Sequence, residues 1–106
     1  MELTTFNKAM DILGDARIAM ISFIKEAVDE LGGKAGLDEL ILVHTYENEV
    51  ITLYAHGIFK NEDNEYVVGV SWFDEDGLDS ANEYLFSLTA NELYDIMWRL
   101  RANISK

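Results

Sequence analysis

The chain reads ELILVHTYENEVITLYAHGIFKNEDNEYVVGVSWF from residue 39 to residue 73. Three runs in this stretch are rich in β-branched and aromatic residues and predict strands. These runs are residues 39–46, 50–59 and 65–73. Two short polar turns, Glu47–Glu49 and Lys60–Asn64, join them, and Asn48 is the residue of the first turn that best tolerates a positive φ. Because short turns join antiparallel neighbours, the stretch predicts an antiparallel meander.

A long helical pattern precedes the strands. Apolar residues recur with the helical period of about 3.6 residues from residue 5 to residue 31, and Gly32–Gly33 ends the pattern. The predicted apolar face consists of Phe6, Ala9, Met10, Leu13, Ala16, Met20, Phe23, Ile24, Ala27, Val28 and Leu31. Phe23 lies near the middle of this face, so we expect it to be buried and to hold the helix against the sheet.

Two stretches near the C-terminus match the capping-box pattern, Ser80–Glu83 and Thr89–Glu92. They are too close together for both to begin full helices. Apolar residues follow the second box at helical spacing, which predicts a C-terminal helix, whereas residues 84–88 (YLFSL) alternate as a short fourth strand would. The sequence therefore predicts a single α+β domain over residues 1–106, with a long N-terminal helix, an antiparallel meander of three to four strands and a C-terminal helix, in the order α-β-β-β-β-α.

Carboxylates are concentrated in the middle of the chain. The formal net charge is -12, and from Asp38 to Asp95 there are fourteen carboxylates and one base, Lys60. This excess of carboxylates gives the surface a negative electrostatic field, which repels nucleic acid and anionic membranes and attracts basic protein surfaces. We therefore expect a basic protein surface as partner, for instance that of a nucleic-acid enzyme, and neither direct nucleic-acid binding nor membrane binding. The absence of cysteine fits a cytoplasmic protein.

Two groups of side chains are candidates for binding that partner. The first group is the carboxylates near the strand ends, where hairpins present charge together. They are Glu47, Glu49, Glu62, Asp63, Glu65, Asp74, Glu75, Asp76 and Asp79. The second group is aromatic, Tyr54 and Phe73, on a sheet face that is not polar. Helices on both sides of the sheet are the expected arrangement; alternatively, one aromatic face stays open and meets the partner.

Strict alternation along the second strand assigns Ile58 to the face of Tyr54 and Phe59 to the opposite face. Gly57 and Gly69 lie opposite each other if the intervening turn has the right length. They would then leave a shallow notch where another element can approach closely.

The segment Asp74–Glu83 matches part of a calcium-binding loop. With Gly77 at the sixth position, Asp74, Asp76 and Glu83 occupy the third, fifth and twelfth positions. The first ligand position holds Trp72, which has no oxygen ligand to offer. We therefore expect a solvated acidic turn rather than a metal site.

The histidines, His44 and His56, both fall on the first predicted hairpin. Two imidazoles are too few for a structural zinc site without carboxylate help, so we expect ordinary sheet residues. No nucleophile motif and no phosphate-binding or dinucleotide-binding motif is present in the sequence. We expect no catalytic residues, no cofactor and no enzyme activity.

The pattern favours a small acidic protein-binding domain, such as an inhibitor, an immunity protein or a DNA mimic, whose carboxylates stand where phosphates would. The stretch Leu42-Val-His-Thr45 resembles part of the phage uracil-DNA glycosylase inhibitor family over four residues only, and no site is carried over from that family. The alternative is a structural or regulatory homo-oligomer, for example a homodimer, in which the charge serves solubility only.

Overall fold

The computed structural model describes residues 3–104, and the side chains of residues 15–45 and 47–104. Its elements are α1 (Leu3–Glu30), β1 (Lys34–Tyr46), β2 (Glu49–Lys60), β3 (Tyr66–Asp74), β4 (Gly77–Tyr84), a 3-10 turn (Leu85–Ser87) and α2 (Ala90–Ile104). The strands form one antiparallel sheet in the order β1-β2-β3-β4. The predicted α+β class and the order α-β-β-β-β-α are therefore confirmed. Within the described range, neither helix is long and apolar enough to cross a membrane.

Tight hairpins set the order of the strands. At the β1–β2 turn, Glu47 and Asn48 have φ values of 49° and 65°, the conformation of a two-residue turn that matches the twist of the strands. At the β3–β4 turn the Asp76 N–H donates to Asp74 Oδ1 at 2.8 Å. The meander places these two turns at one end of the sheet and the β2–β3 turn at the other.

The fourth strand lies earlier in the chain than predicted. β4 pairs with β3 from Asp74↔Gly77 to Val67↔Tyr84, so the backbone of this polar segment is paired along its whole length. The prediction of a fourth strand at residues 84–88 is therefore wrong. The tight β3–β4 turn sets the strand register, and side-chain alternation has no influence on it here. Helix α2 begins at the second capping box as predicted: the Glu92 N–H donates to Thr89 Oγ1 at 3.2 Å, and the Thr89 N–H donates to Glu92 Oε1 at 3.0 Å.

One hydrophobic core holds the domain, and it lies on one side of the sheet. Both helices contribute to it, α1 through Ile24 and Val28, and α2 through Leu93, Ile96 and Leu100. Its sheet residues are Leu37, Leu42, Leu53, Ala55, Ile58, Val68 and Val70. The expectation that helices cover both faces of the sheet is wrong for the described elements. Because α2 packs beside α1 on the same face, the other face has no helix over it.

The burial expected for Phe23 is also wrong. Its side chain is 37% exposed, whereas Ile24 and Val28 are 0% exposed. Helix α1 contacts α2 as well as the sheet, and the buried arc is centred on Ile24 and Val28, so Phe23 falls at its edge. The predicted face residues Phe6, Ala9, Met10 and Leu13 lie outside the described side chains.

A bulge in β2 reverses the faces of its last residues. Ala55 pairs with Val70 and Gly57 pairs with Gly69, so His56 is an extra residue on β2. Beyond the bulge Ile58 is 1% exposed in the core, and Phe59 lies on the opposite face. The assignment of Ile58 and Phe59 by strict alternation is therefore wrong.

Candidate docking surface

The uncovered side of the sheet carries a patch of apolar side chains, here called the open face. It consists of Ile41, Val43, Val50, Tyr54, Phe73 and Leu78. All but Tyr54 leave more than half of their area exposed, from 59% for Ile41 to 71% for Phe73. Exposed apolar residues that are scattered singly are ordinary, but a contiguous patch is typical of a binding surface.

The open face is continuous across the four strands. Ile41 on β1 pairs with Tyr54 on β2, and Phe73 on β3 pairs with Leu78 on β4. The rings of Tyr54 and Phe73 bridge the two pairs in an edge-to-face contact, with 6.2 Å between centroids. The two aromatic residues singled out from the sequence therefore lie at the centre of this patch and touch each other.

His56, the extra residue of the β2 bulge, lies beside the open face. Its Nε2 is 2.7 Å from Ser71 Oγ, and Ser71 is buried beneath it. A serine–histidine contact is also a component of nucleophilic sites, but such sites orient the histidine with a third group. Among the described side chains no third group bonds to the His56 ring, so we interpret this contact as an anchor of the bulge.

Three glycines form a notch across the same side of the sheet. Gly36 pairs with Gly57, and Gly57 pairs with Gly69, as expected for the last two. A Cβ at Gly57 would lie 2.9 Å from the Ala35 carbonyl oxygen, so the close approach of β1 and β2 requires glycine there. The notch opens into a hollow of about 550 Å³ that Phe59 borders.

The predicted binding carboxylates separate into two groups at opposite ends of the sheet. The first group, here called the turn-end acids, consists of Glu47, Glu49, Asp74, Glu75, Asp76 and Asp79. All six are exposed, and none of them forms an ion pair with a described side chain. The second group is Glu62, Asp63 and Glu65, in the β2–β3 turn.

Basic side chains lie near the β2–β3 turn, here called the far end of the sheet. Lys60 Nζ is 3.0 Å from Asp29 Oδ1, and the Tyr66 hydroxyl donates to Asp29 at 2.7 Å. These two hydrogen bonds, Tyr66 first, hold the pKa of Asp29 below its usual value. Lys25 also lies over the Tyr66 ring. Among the described side chains no base pairs with the turn-end acids, so this end carries the less compensated negative charge.

Two of the turn-end acids, Asp74 and Asp79, shift each other's pKa in opposite directions. A hydrogen bond from Asp79, together with the Asp76 backbone N–H, lowers the pKa of Asp74. The same bond and the repulsion by ionised Asp74 raise the pKa of Asp79. The pair therefore holds a proton to higher pH than an isolated aspartate would, and the negative charge of this end increases as Asp79 ionises.

A further hollow lies on the helix side of the sheet. It encloses about 340 Å³ and is lined by His44, Ile51, Leu53, Val70, Trp72 and Glu83. Beside it His44 Nδ1 is 3.3 Å from both carboxylate oxygens of Glu92, which is 2% exposed. Sequence reasoning missed this site, since His44 and Glu92 are far apart in the chain and only the fold brings them together. The only indication in the sequence is that strand alternation places Trp72 on the face of the sheet opposite to that of Phe73.

Comparison with protein-family models, with curated proteins and with solved structures finds no match to this chain. Among the described residues, no group of three or more histidine, cysteine, aspartate or glutamate side chains is placed to hold a metal ion.

Proposed function

We propose that this chain is a small acidic protein-binding domain that docks on a basic protein surface through its open face and its turn-end acids. Inhibitors, immunity proteins and DNA mimics work in this way, and a nucleic-acid enzyme is the kind of partner that carries such a basic surface. The observation that supports the proposal is that an uncovered apolar face adjoins uncompensated carboxylates. The open face ends at two turns that carry these carboxylates, Glu47 between β1 and β2, and Glu75 and Asp76 between β3 and β4.

The open face and the turn-end acids have different roles in binding. The open face excludes water from the centre of the contact, as the apolar core of an interface does. The turn-end acids lie at the end of the sheet where the open face stops, and there charges steer encounter and raise the association rate without being fully desolvated. Because the chain has no cysteine, the reducing cytoplasm is the compartment that we expect.

Charge reversal at the two ends of the sheet tests this proposal. The partner is captured from host lysate at low salt, eluted at high salt and purified. Its association rate is then measured over a series of salt concentrations with Glu47→Lys/Glu49→Lys and with the matched control Glu62→Lys/Asp63→Lys. The first variant is expected to slow association about tenfold or more and to flatten the salt dependence, while the control keeps most of the wild-type rate. Equal effects of the two variants would contradict a site at the turn end.

A second candidate function is a homo-oligomeric domain. The same exposed patch supports it, because two open faces could pack together and remove each other from water. The net charge of -12 on each copy opposes such an association. Sedimentation velocity across a wide range of protein concentration decides between the two. The docking proposal expects a monomer, whereas a dimer that Phe73→Asp dissociates would establish the alternative.

A further inference from the structure

The hollow on the helix side of the sheet, here called the Trp72 hollow, has the features of a small-molecule site. Its volume of about 340 Å³ falls in the range of about 300–1,000 Å³ that is usual for ligand pockets. Its floor is apolar, formed by Ile51, Leu53 and Val70, and Trp72 contributes an indole ring to the wall. The hollow lies away from the open face, because Trp72 and Phe73 point to opposite sides of the sheet.

Apart from His44, the polar side chains around the Trp72 hollow are carboxylates. Glu83 lines it directly, and Asp79 pairs with Trp72 in the β3–β4 ladder. Buried Glu92 lies behind His44 and accepts the backbone N–H of Thr89, so it is fixed in place. Among the described side chains no lysine or arginine lines the hollow. An apolar cavity bordered by carboxylates is complementary to a cation that carries an apolar body.

We propose that the Trp72 hollow binds a small organic cation, a primary ammonium or guanidinium group on an apolar stem. The Glu83 carboxylate accepts hydrogen bonds from the cationic group, and the Trp72 ring attracts it through the negative potential of its π-system. The apolar stem displaces water from the floor. This site lies on the helix side of the sheet and shares only the bordering Asp79 with the docking surface, so neither proposal depends on the other.

Fluorescence titration with benzylamine as the probe tests this inference. The chain has two tryptophans and five tyrosines, so the titration uses the Trp98→Phe background, in which Trp72 is the only tryptophan and is excited selectively over the tyrosines. Trp98 lies on α2 and is 46% exposed, so its replacement leaves the core intact. Benzyl alcohol, which has the same ring and no charge, is the matched ligand control. Benzylamine is expected to change the Trp72 emission saturably, and benzyl alcohol at the same concentrations is not.

A second variant identifies the carboxylate. Glu83→Gln keeps the size of the side chain and removes its charge, and it should weaken benzylamine binding about tenfold, the loss expected for one charged hydrogen bond. Glu62→Gln, at the far end of the sheet, removes the same charge from the chain and should leave the affinity unchanged. A circular dichroism spectrum of each variant verifies the fold. The inference is overturned if benzylamine gives no saturable change, if benzyl alcohol matches it, or if both glutamine variants behave alike.

Discussion

Gly57→Ala should destabilise the domain through one contact between backbone and side chain. The new Cβ would lie 2.9 Å from the carbonyl oxygen of Ala35 and 3.7 Å from its carbonyl carbon. This oxygen belongs to a paired strand and cannot rotate away as a flexible side chain would, so β1 and β2 have to separate locally. Forcing a methyl group into a filled site costs about 1–3 kcal/mol. That loss is a large fraction of the roughly 5–15 kcal/mol by which a domain is stable.

Gly69→Ala is the matched control, because Gly69 is the cross-strand partner of Gly57. A Cβ at that position meets its nearest atom, Asn82 Oδ1, at 3.7 Å, an ordinary van der Waals contact. The substitution should leave stability unchanged or raise it by about 0.5–1 kcal/mol, since alanine restricts the unfolded chain. Urea unfolding followed by circular dichroism measures both variants. Equal losses at the two positions, or a larger loss at Gly69, would refute the register and the bulge from which the difference is worked out.

Three further outcomes are expected, each with its own measurement. In urea unfolding, Ile24→Ala should lower the free energy of unfolding by about 2–5 kcal/mol because its side chain is fully buried. Phe23→Ala should lower it by less than about 2 kcal/mol because Phe23 is partly exposed. The reverse order would mean that α1 packs through another face. Thr89→Ala should lower the midpoint of thermal unfolding by removing the cap of α2, a loss of about 1 kcal/mol, and an unchanged midpoint would mean that the capping box contributes nothing. Tyr66→Phe should raise the pKa of Asp29 in an NMR titration, because it removes the strongest hydrogen bond to that carboxylate. The folded-state pKa of Asp29 lies below the usual 3.8, so its contribution to stability is present above that pH and is lost as the pH falls through the lowered pKa. The variant should therefore lose less stability on acidification than the wild-type protein. An unchanged pKa of Asp29 would exclude the Tyr66 hydrogen bond as the cause of the lowered value.

Local patterns predict both helices and the first three strands of the fold. The helical period gave both helices, and the positive φ of Asn48 was expected from its residue type. Strand β4 was misplaced because its sequence is polar, and the tight turn at Gly77 aligns it with β3 regardless of hydrophobicity. The face of Phe59 was assigned wrongly because a bulge has no signature in the alternation pattern itself.

The candidate sites depended on contacts that a sequence does not display. Tyr54 and Phe73 could be placed on one face from alternation, but whether a helix covers that face is decided by where α1 and α2 pack. Glu92 could be identified as a capping residue from the pattern of α2. Its contact with His44 required the sheet and the helix to be brought together, and no periodicity reports such a pairing.

Two phenylalanines of nearly equal exposure provide the most direct test of the docking surface. Phe73 lies on the open face and is 71% exposed, whereas Phe86 lies on the 3-10 turn near the far end of the sheet and is 67% exposed. The measurement is the dissociation rate of the captured partner from Phe73→Ser and from Phe86→Ser. Loss of a central interface anchor costs about 2 kcal/mol or more, so Phe73→Ser should accelerate dissociation roughly 30-fold while Phe86→Ser leaves it unchanged. Equal acceleration by both variants, or acceleration by Phe86→Ser alone, would contradict the account.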